Sequence, residues 1–260
     1  MGESAGSRQA AATIAKPLDP DYFGLQLKFA EVVAATTGVD FAHAVFTHTN
    51  FFMRLSFGTR RELNESHAGW RSFVRELASA RDKADYVYRT YLEAPPEAPS
   101  GAIPFGCFSV DPVGADGIVR FHFGSKEPGN VGPLSSQRIA ARRGELRVLF
   151  AHVRTAWPHA REVNGNSWLY HFDAYRRLFP ESYGGSRSLL RHSALIQGSS
   201  RWGQFLDFRG RVVDGVRTNF LANLVRVDAG HLCDAFPIPT YRTSAPVDDF
   251  YAFLALQDSC

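Results

Sequence analysis

Residues 118–183 constrain the fold most, because their sequence predicts an alternation of strand, loop, helix, strand and helix. The strand IVRFHFG runs into the glycine-rich loop SKEPGNVGP, and the helix LSSQRIAARRGELRVLFAHVRTAW follows. The strand REVNGNSWLYHF and the short helix DAYRRLFP complete the series. Junctions between a strand, a loop and a helix are where α/β proteins bind anions and place reacting groups. We therefore expect functional groups near this loop and at the ends of the two strands.

The composition is that of a globular chain with a large core. It has 260 residues, of which 45% are hydrophobic, and this length allows one large domain or two small ones. Aromatic residues make up 13% and include 21 phenylalanines. This content indicates either a phenylalanine-rich core or an aromatic pocket for an apolar or planar ligand.

Charge and cysteine usage narrow the class of partner. The net charge is only +3, and the arginine pairs are scattered instead of forming one basic tract, so we do not expect nucleic acid binding. Three cysteines at unrelated spacings give neither a disulfide framework nor a zinc motif, which favours a reducing cytoplasm. No stretch approaches the roughly 18 apolar residues that span a bilayer, so no membrane partner is expected. Histidine spacings predict no metal site.

The chain reads as a tail, a helical part, a connection and a mixed domain. Residues 1–17 are small and polar, and we expect a disordered tail. Residues 18–93 predict four helices from their apolar periodicity. Prolines interrupt the pattern in residues 94–104, which we interpret as a connection between subdomains. Residues 105–260 alternate between strand and helix patterns, and the connection DPVGADG predicts a hairpin between IPFGCFSV and IVRFHFG.

The second predicted helix, DFAHAVFTHTNFFMRLSFG, has a polar face as well as an apolar one. His43, Thr47 and Asn50 recur at helical spacing on that polar face. Such a face is usually exposed to solvent. Its residue types can also hydrogen-bond a ligand, so we keep the second interpretation, in which they bind substrate.

The loop after the first strand could present backbone N–H groups to an anion, assisted by the dipole of the following helix. Lys126, Gly129 and Gly132 are the residues we predict for that role, with an ordinary surface loop as the alternative. Glu127 would oppose an anion and could instead serve as a general base. The loop is neither a P-loop nor a G-x-G-x-x-G motif.

Two further residues are candidates for acid–base chemistry. His122 lies at the end of its predicted strand, and it is either a general base or a structural histidine bonded to the backbone. Tyr170 could donate a proton to a leaving group or anchor its strand to a neighbouring loop. In NGNSWLYHF, strand alternation puts Asn166 and Trp168 on the same face as Tyr170, and we predict that Asn166, Ser167 and Trp168 bind substrate. Ser167 occupies the other face, where we expect it to hydrogen-bond and not to act as a nucleophile, since Leu169 stands where a nucleophile elbow needs glycine.

The segment SWLYHFDAYRRLFPESYGGSRSLL resembles the GNAT-like C-terminal acyltransferase domains of bacterial proteins. The residues that carry the resemblance are Ser167, Trp168, Leu169, Leu178, Pro180 and Ser182. The order of elements from residue 118 onward is also similar to that of the GNAT core, although the loop lacks that family's Q/R-x-x-G-x-G/A pattern. The similar region covers about 110 residues of the 260.

The resemblance implies a fold, an activity and a cofactor. The fold is α+β, with the helical N-terminal part packed on a GNAT-like, mostly antiparallel sheet with flanking helices. The activity is acyl transfer to an amine or hydroxyl of a small molecule, with acyl-CoA as the donor. Two alternatives stay open: a cofactor-independent lyase, isomerase or hydrolase that uses the His43, Thr47 and Asn50 face with His122, and a ligand-binding module without catalysis.

Overall fold

The computed structural model describes residues 17–95, 101–124, 130–190 and 197–255. The α-helices are α1 (Asp21–Thr37), α2 (Phe41–His48), α3 (Phe51–Arg54), α4 (Ala68–Ser79), α5 (Lys83–Glu93), α6 (Ile139–Ala156), α7 (Asp173–Arg176), α8 (Glu181–Gly185), α9 (Ser199–Trp202), α10 (Asp214–Leu224) and α11 (Val247–Ala255). The strands are β1 (Ile103–Phe105), β2 (Phe108–Val110), β3 (Ile118–Phe123), β4 (Glu162–Ser167), β5 (Ser188–Leu189) and β6 (Tyr241–Pro246). Single 3-10 turns span Arg60–Glu62, Ser136–Arg138, Trp168–His171, Gly203–Phe205 and Leu232–Ala235.

The strands form one sheet in the order β1-β2-β3-β4-β6-β5. The pair β3 and β4 is parallel, and the other described pairs are antiparallel. A parallel pair needs a long crossover, which α6 supplies here. The predicted α+β class with a mostly antiparallel sheet is confirmed, and so is the hairpin between β2 and β3.

The two parallel strands separate part-way along their length. They pair from Ile118 with Glu162 to Arg120 with Asn164, and their register ends there. Beyond this point residues 121–123 of β3 pair with β2, and residues 165–167 of β4 pair with β6. We call this divergence the fork. Each strand therefore has one edge that faces the gap between them.

Buried side chains form two clusters. One cluster lies between the sheet and the helices α6, α7, α8 and α11, and Phe121 is near its centre, in contact with Phe150, Phe179 and Phe250. The other cluster joins α1–α5 to the segment from Trp202 to Phe236. The helical part is thus built from two stretches of the chain, 18–93 and 202–236. The predicted division at residues 94–104 remains a prediction.

Three local predictions are wrong. The second predicted helix is broken between α2 and α3, since Thr49 has an extended backbone and the Asn50 N–H donates to Gln26 Oε1 at 2.8 Å. IPFGCFSV is two strands, because Gly106 turns the chain with a φ of 64°. The strand that was predicted to continue to Phe172 ends at Ser167.

That strand ends through a hydrogen bond of its own last residue. The Leu169 N–H donates to Ser167 Oγ at 3.1 Å, and residues 168–171 form a 3-10 turn. Trp168 and Tyr170 therefore do not lie on a strand face with Asn166. The predicted tail, and most of the predicted strand HSALIQG, fall outside the described residues.

Within the described ranges, no helix is both long enough and apolar enough to cross a membrane.

Candidate functional site

A cavity of about 680 Å³ lies at the fork. We call it the fork cavity. Its sheet side is lined by Phe121, His122, Phe123, Gly124, Asn166, Ser167, Trp168, Leu169, Tyr170, Phe172 and Tyr175. The loop before α6 contributes Gly132, Pro133, Leu134 and Ser135. The third side is formed by Ser200, Gly203, Gln204, Leu206, Asp207, Phe208, Val213, Val216 and Ile238.

His122 is paired with a carboxylate. It points away from the buried face of β3, as strand alternation requires, and its Nε2 lies 3.1 Å from Asp111 Oδ1. The hydrogen bond from His122, followed by the nearby Arg61 and Arg120, lowers the pKa of Asp111 below its usual value despite partial burial. An ionised Asp111 fixes the orientation of the imidazole and leaves Nδ1 as the nitrogen that can accept a proton.

Two tyrosine hydroxyls meet on the core side of the fork. Tyr170 Oη and Tyr183 Oη are 2.7 Å apart, and both lie against Gly165 of β4. A Cβ atom at residue 165 would be 2.1 Å from the first hydroxyl and 2.3 Å from the second. Glycine is therefore required there, since any side chain would displace the pair.

Burial controls the ionisation of these phenols. It raises the pKa of Tyr170 above its ordinary value, and it raises the pKa of Tyr175 further. Both residues line the fork cavity. At neutral pH both phenols are protonated and can donate a hydrogen bond, and their raised pKa values make them weaker acids than an exposed tyrosine.

The loop before α6 is held in place by two arginines from other elements. Arg209 Nη2 donates to Asn130 Oδ1 at 2.6 Å, and Arg177 Nη2 donates to the Leu134 carbonyl oxygen at 2.8 Å. The Ser135 hydroxyl oxygen is buried and has no hydrogen-bond partner among the described residues. A donor or acceptor on a ligand would satisfy it.

The third side of the cavity has three polar side chains, Ser200, Gln204 and Asp207, and the last two are already bonded. Gln204 donates to the carbonyl oxygens of Arg201 and Ile238 and accepts from the Ile238 N–H at 2.9 Å. The Asp207 carboxylate accepts from the backbone of Arg209 and Arg211 and from the Arg211 guanidinium. These groups build the wall and leave its apolar side chains facing the cavity.

The structure brings six of the predicted site residues to one cavity. They are His122, Gly132, Asn166, Ser167, Trp168 and Tyr170. Lys126, Glu127 and Gly129, which were predicted for the same loop, lie outside the described residues.

The predicted polar face of α2 lies elsewhere, in the helical part. The exposed His43 pairs with Glu65 at 3.0 Å, and Thr47 Oγ1 donates to the His43 carbonyl oxygen at 2.8 Å. The buried Asn50 amide donates to Tyr22 Oη at 2.6 Å. None of the three lines the fork cavity.

Sequence reasoning missed Asp111, Gly165, Tyr183 and the wall from residue 200 to residue 216. A signal for Asp111 was present in the hairpin, whose register puts Ser109 opposite His122 and so brings Asp111, the residue after β2, close to it. No local sequence pattern could have predicted this wall, because residues near 206 and near 122 are brought together only by the tertiary fold.

Comparisons with known proteins and metal-binding patterns add no identification. No protein-family model, no curated protein and no solved structure matches the chain. Within the residues that the structure describes, no group of three or more His, Cys, Asp or Glu side chains is arranged to hold a metal ion.

Proposed function

We propose that this protein is a cytoplasmic acyltransferase that moves an acyl group from a coenzyme A thioester to an amine or hydroxyl of a small molecule. The fork cavity is the observation that carries the proposal. The diverging ends of β3 and β4 line it, and so does His122, which is paired with Asp111. The order of β3, loop, α6 and β4 also supports it, since the resemblance to GNAT-like acyltransferases rests on that order.

The fork suits a slender donor with amide groups, which is what the thioester arm of coenzyme A is. Among the described residues, 121–123 and 165–167 pair only with their outer neighbours, so their inner edges offer N–H and C=O groups to such an arm. The buried Ser135 hydroxyl and the aromatic rings of Phe123 and Tyr175 add a polar and an apolar contact.

His122 and Tyr170 divide the proton transfers in this proposal and act from opposite sides of the fork, since His122 lies on the exposed face of β3 and the Tyr170 hydroxyl lies on the core side. His122, oriented by Asp111, takes the proton from the attacking amine or hydroxyl. Tyr170 gives a proton to the departing thiolate. Burial raises the pKa of Tyr170 and opposes this transfer, whereas the hydrogen bond with Tyr183 lowers the pKa and favours it. Tyr183 holds the Tyr170 hydroxyl at the fork through their 2.7 Å hydrogen bond.

Binding and turnover test the proposal separately. Acetyl-CoA at about 100 times its Kd should stabilise the protein by about 2.7 kcal/mol, which is a Tm shift of several degrees for a chain of this size. Gly132→Leu should reduce the shift, because Gly132 lines the cavity and a leucine there would compete with the ligand for space. His122→Gln should keep the shift and lower kcat for thiol release by at least about 100-fold.

The matched control is His231→Gln. His231 also pairs with a carboxylate, Asp228, at 2.8 Å, but it is exposed and does not line the cavity. Its replacement should change neither binding nor turnover. Absence of any shift with CoA, acetyl-CoA and longer acyl-CoAs would reject the transferase. If acyl-CoA raises the Tm but turnover is absent or does not depend on His122, ligand binding remains as the function.

A further inference from the structure

Exposed apolar side chains surround the mouth of the fork cavity. Phe172, Phe208 and Val213 are 37%, 36% and 37% exposed, respectively, and all three line the cavity. The Arg209 guanidinium lies 5.0 Å from the centroid of the Phe208 ring and fixes the position of that side chain. Large apolar side chains gathered at one opening indicate contact with an apolar ligand group.

Phe208 and Val213 belong to a wall of the cavity that offers a ligand almost no free polar group. We call Leu206, Phe208, Val213, Val216 and Ile238 the apolar wall. Of its three polar neighbours, Gln204 and Asp207 have their hydrogen-bonding atoms engaged by the protein itself, and the Ser200 hydroxyl is left as a single group without such a bond among the described residues. A ligand rich in hydroxyls would lose its bonds to water here without replacement, and each such loss costs about 1–3 kcal/mol.

Two free polar side chains, His122 and Asn166, lie on the opposite side, at the fork, and the unpaired Ser135 hydroxyl lies in the loop before α6. The exposed Asn166 of β4 lies opposite Arg242 of β6, and its side-chain amide makes no hydrogen bond among the described residues. His122 lies on the neighbouring strand, with the imidazole held by Asp111. Helix α9, which precedes the apolar wall, contacts β4. A ligand in the cavity therefore meets polar groups at one end and the apolar wall at the other.

We propose that the acceptor of this enzyme is a primary amine or alcohol on an apolar body, such as an alkyl or aryl chain, and not a sugar. The reacting nitrogen or oxygen lies at His122 and Asn166, and the body lies against the apolar wall. That this ligand is an acyl acceptor rests on the proposed acyl transfer. That the ligand is apolar rests on the apolar wall alone.

The test compares two primary amines, n-octylamine and glucosamine, on the full chain. Binding is measured by calorimetry without an acyl donor, and product formation is measured by mass spectrometry with acetyl-CoA. Octylamine should bind at least about tenfold more tightly than glucosamine. The double variant Val213→Thr and Val216→Thr keeps the shape of both side chains, and it should weaken octylamine binding about tenfold. Val225→Thr is the matched control, because Val225 is 84% exposed just after α10 and lies outside the cavity.

Each outcome decides one of the two proposals. Octylamine binding that falls in the double variant but not in Val225→Thr supports the apolar acceptor. Tighter binding of glucosamine overturns it. So does a preference for decanoyl-CoA over acetyl-CoA that is lost in the double variant, because the wall would then hold the acyl chain. Octylamine binding at the wall, with no binding of any acyl-CoA and no product, rejects the transferase and keeps the apolar ligand.

Discussion

Gly165 of β4 packs directly against the hydroxyls of Tyr170 and Tyr183. Replacing it with alanine should destabilise the protein by about 1–3 kcal/mol, because the new Cβ would lie 2.1 Å from Tyr170 Oη and 2.3 Å from Tyr183 Oη. Urea unfolding measures the change. Gly144→Ala in α6 is the matched control. No atom lies within 4 Å of a Cβ there, so this change should stabilise the protein by about 0.5–1 kcal/mol. Equal stability of Gly165→Ala and the parent chain would contradict the packing described for the fork.

Single residues of the site were predictable where a local pattern fixed them. Strand alternation put His122 on the polar face of β3, and the structure bears this out. Its partner Asp111 needed the hairpin register, which the sequence only outlined. Tyr170 was assigned to a strand, and its real place in a 3-10 turn follows from the Ser167 hydroxyl, which caps that turn. Nothing local indicated that its hydroxyl would meet Tyr183.

Helix α2 ends in a buried histidine. His48 packs near the Phe29 ring, and its carbonyl oxygen accepts from Trp202 Nε1 at 3.0 Å. Apolar periodicity predicted a continuous helix through this point. The helix ends because the Asn50 N–H donates to the Gln26 side chain of α1. A hydrogen bond to a distant helix has no pattern in the local sequence that would predict it.

The burial of His48 should make stability depend on pH. Burial, with a smaller effect from nearby His43, lowers the pKa of His48 from 6.5 to about 4. The unfolded chain therefore binds a proton that the folded chain does not, and the free energy of unfolding should fall by about 2–3 kcal/mol as pH drops from about 6.5 to 4. Urea unfolding at several pH values in this window measures the loss. His48→Gln should reduce the slope, whereas His231→Gln, at an exposed position, should keep it. Parallel curves for the parent and His48→Gln would rule out this linkage.

At the scale of the whole molecule, the helical part is completed by residues far along the chain. Phe29 of α1 contacts Trp202, Phe220 and Phe236. Asp19 and Asp21 bind the Val212 N–H and the Arg217 guanidinium. The helices of this part and the α+β class were predictable from periodicity. The packing of residues 202–236 against these helices was not predictable, since no pattern in residues 18–93 indicates which of their apolar faces a later segment covers.

This completion predicts that residues 17–95 do not fold alone. The fragment would expose the faces of α1 and α2 that Trp202, Phe205, Phe220 and Phe236 cover in the full chain. Those four aromatic side chains are all buried, and removing even one such side chain from a core typically costs about 3–5 kcal/mol. That cost is comparable to the whole stability of a small domain. The fragment should therefore show no cooperative transition in urea, whereas the full chain should. Trp202→Ala in the full chain should lower the urea midpoint without abolishing the transition. A fragment that unfolds cooperatively would instead mean that α1–α5 form a domain of their own, on which the later segment merely docks.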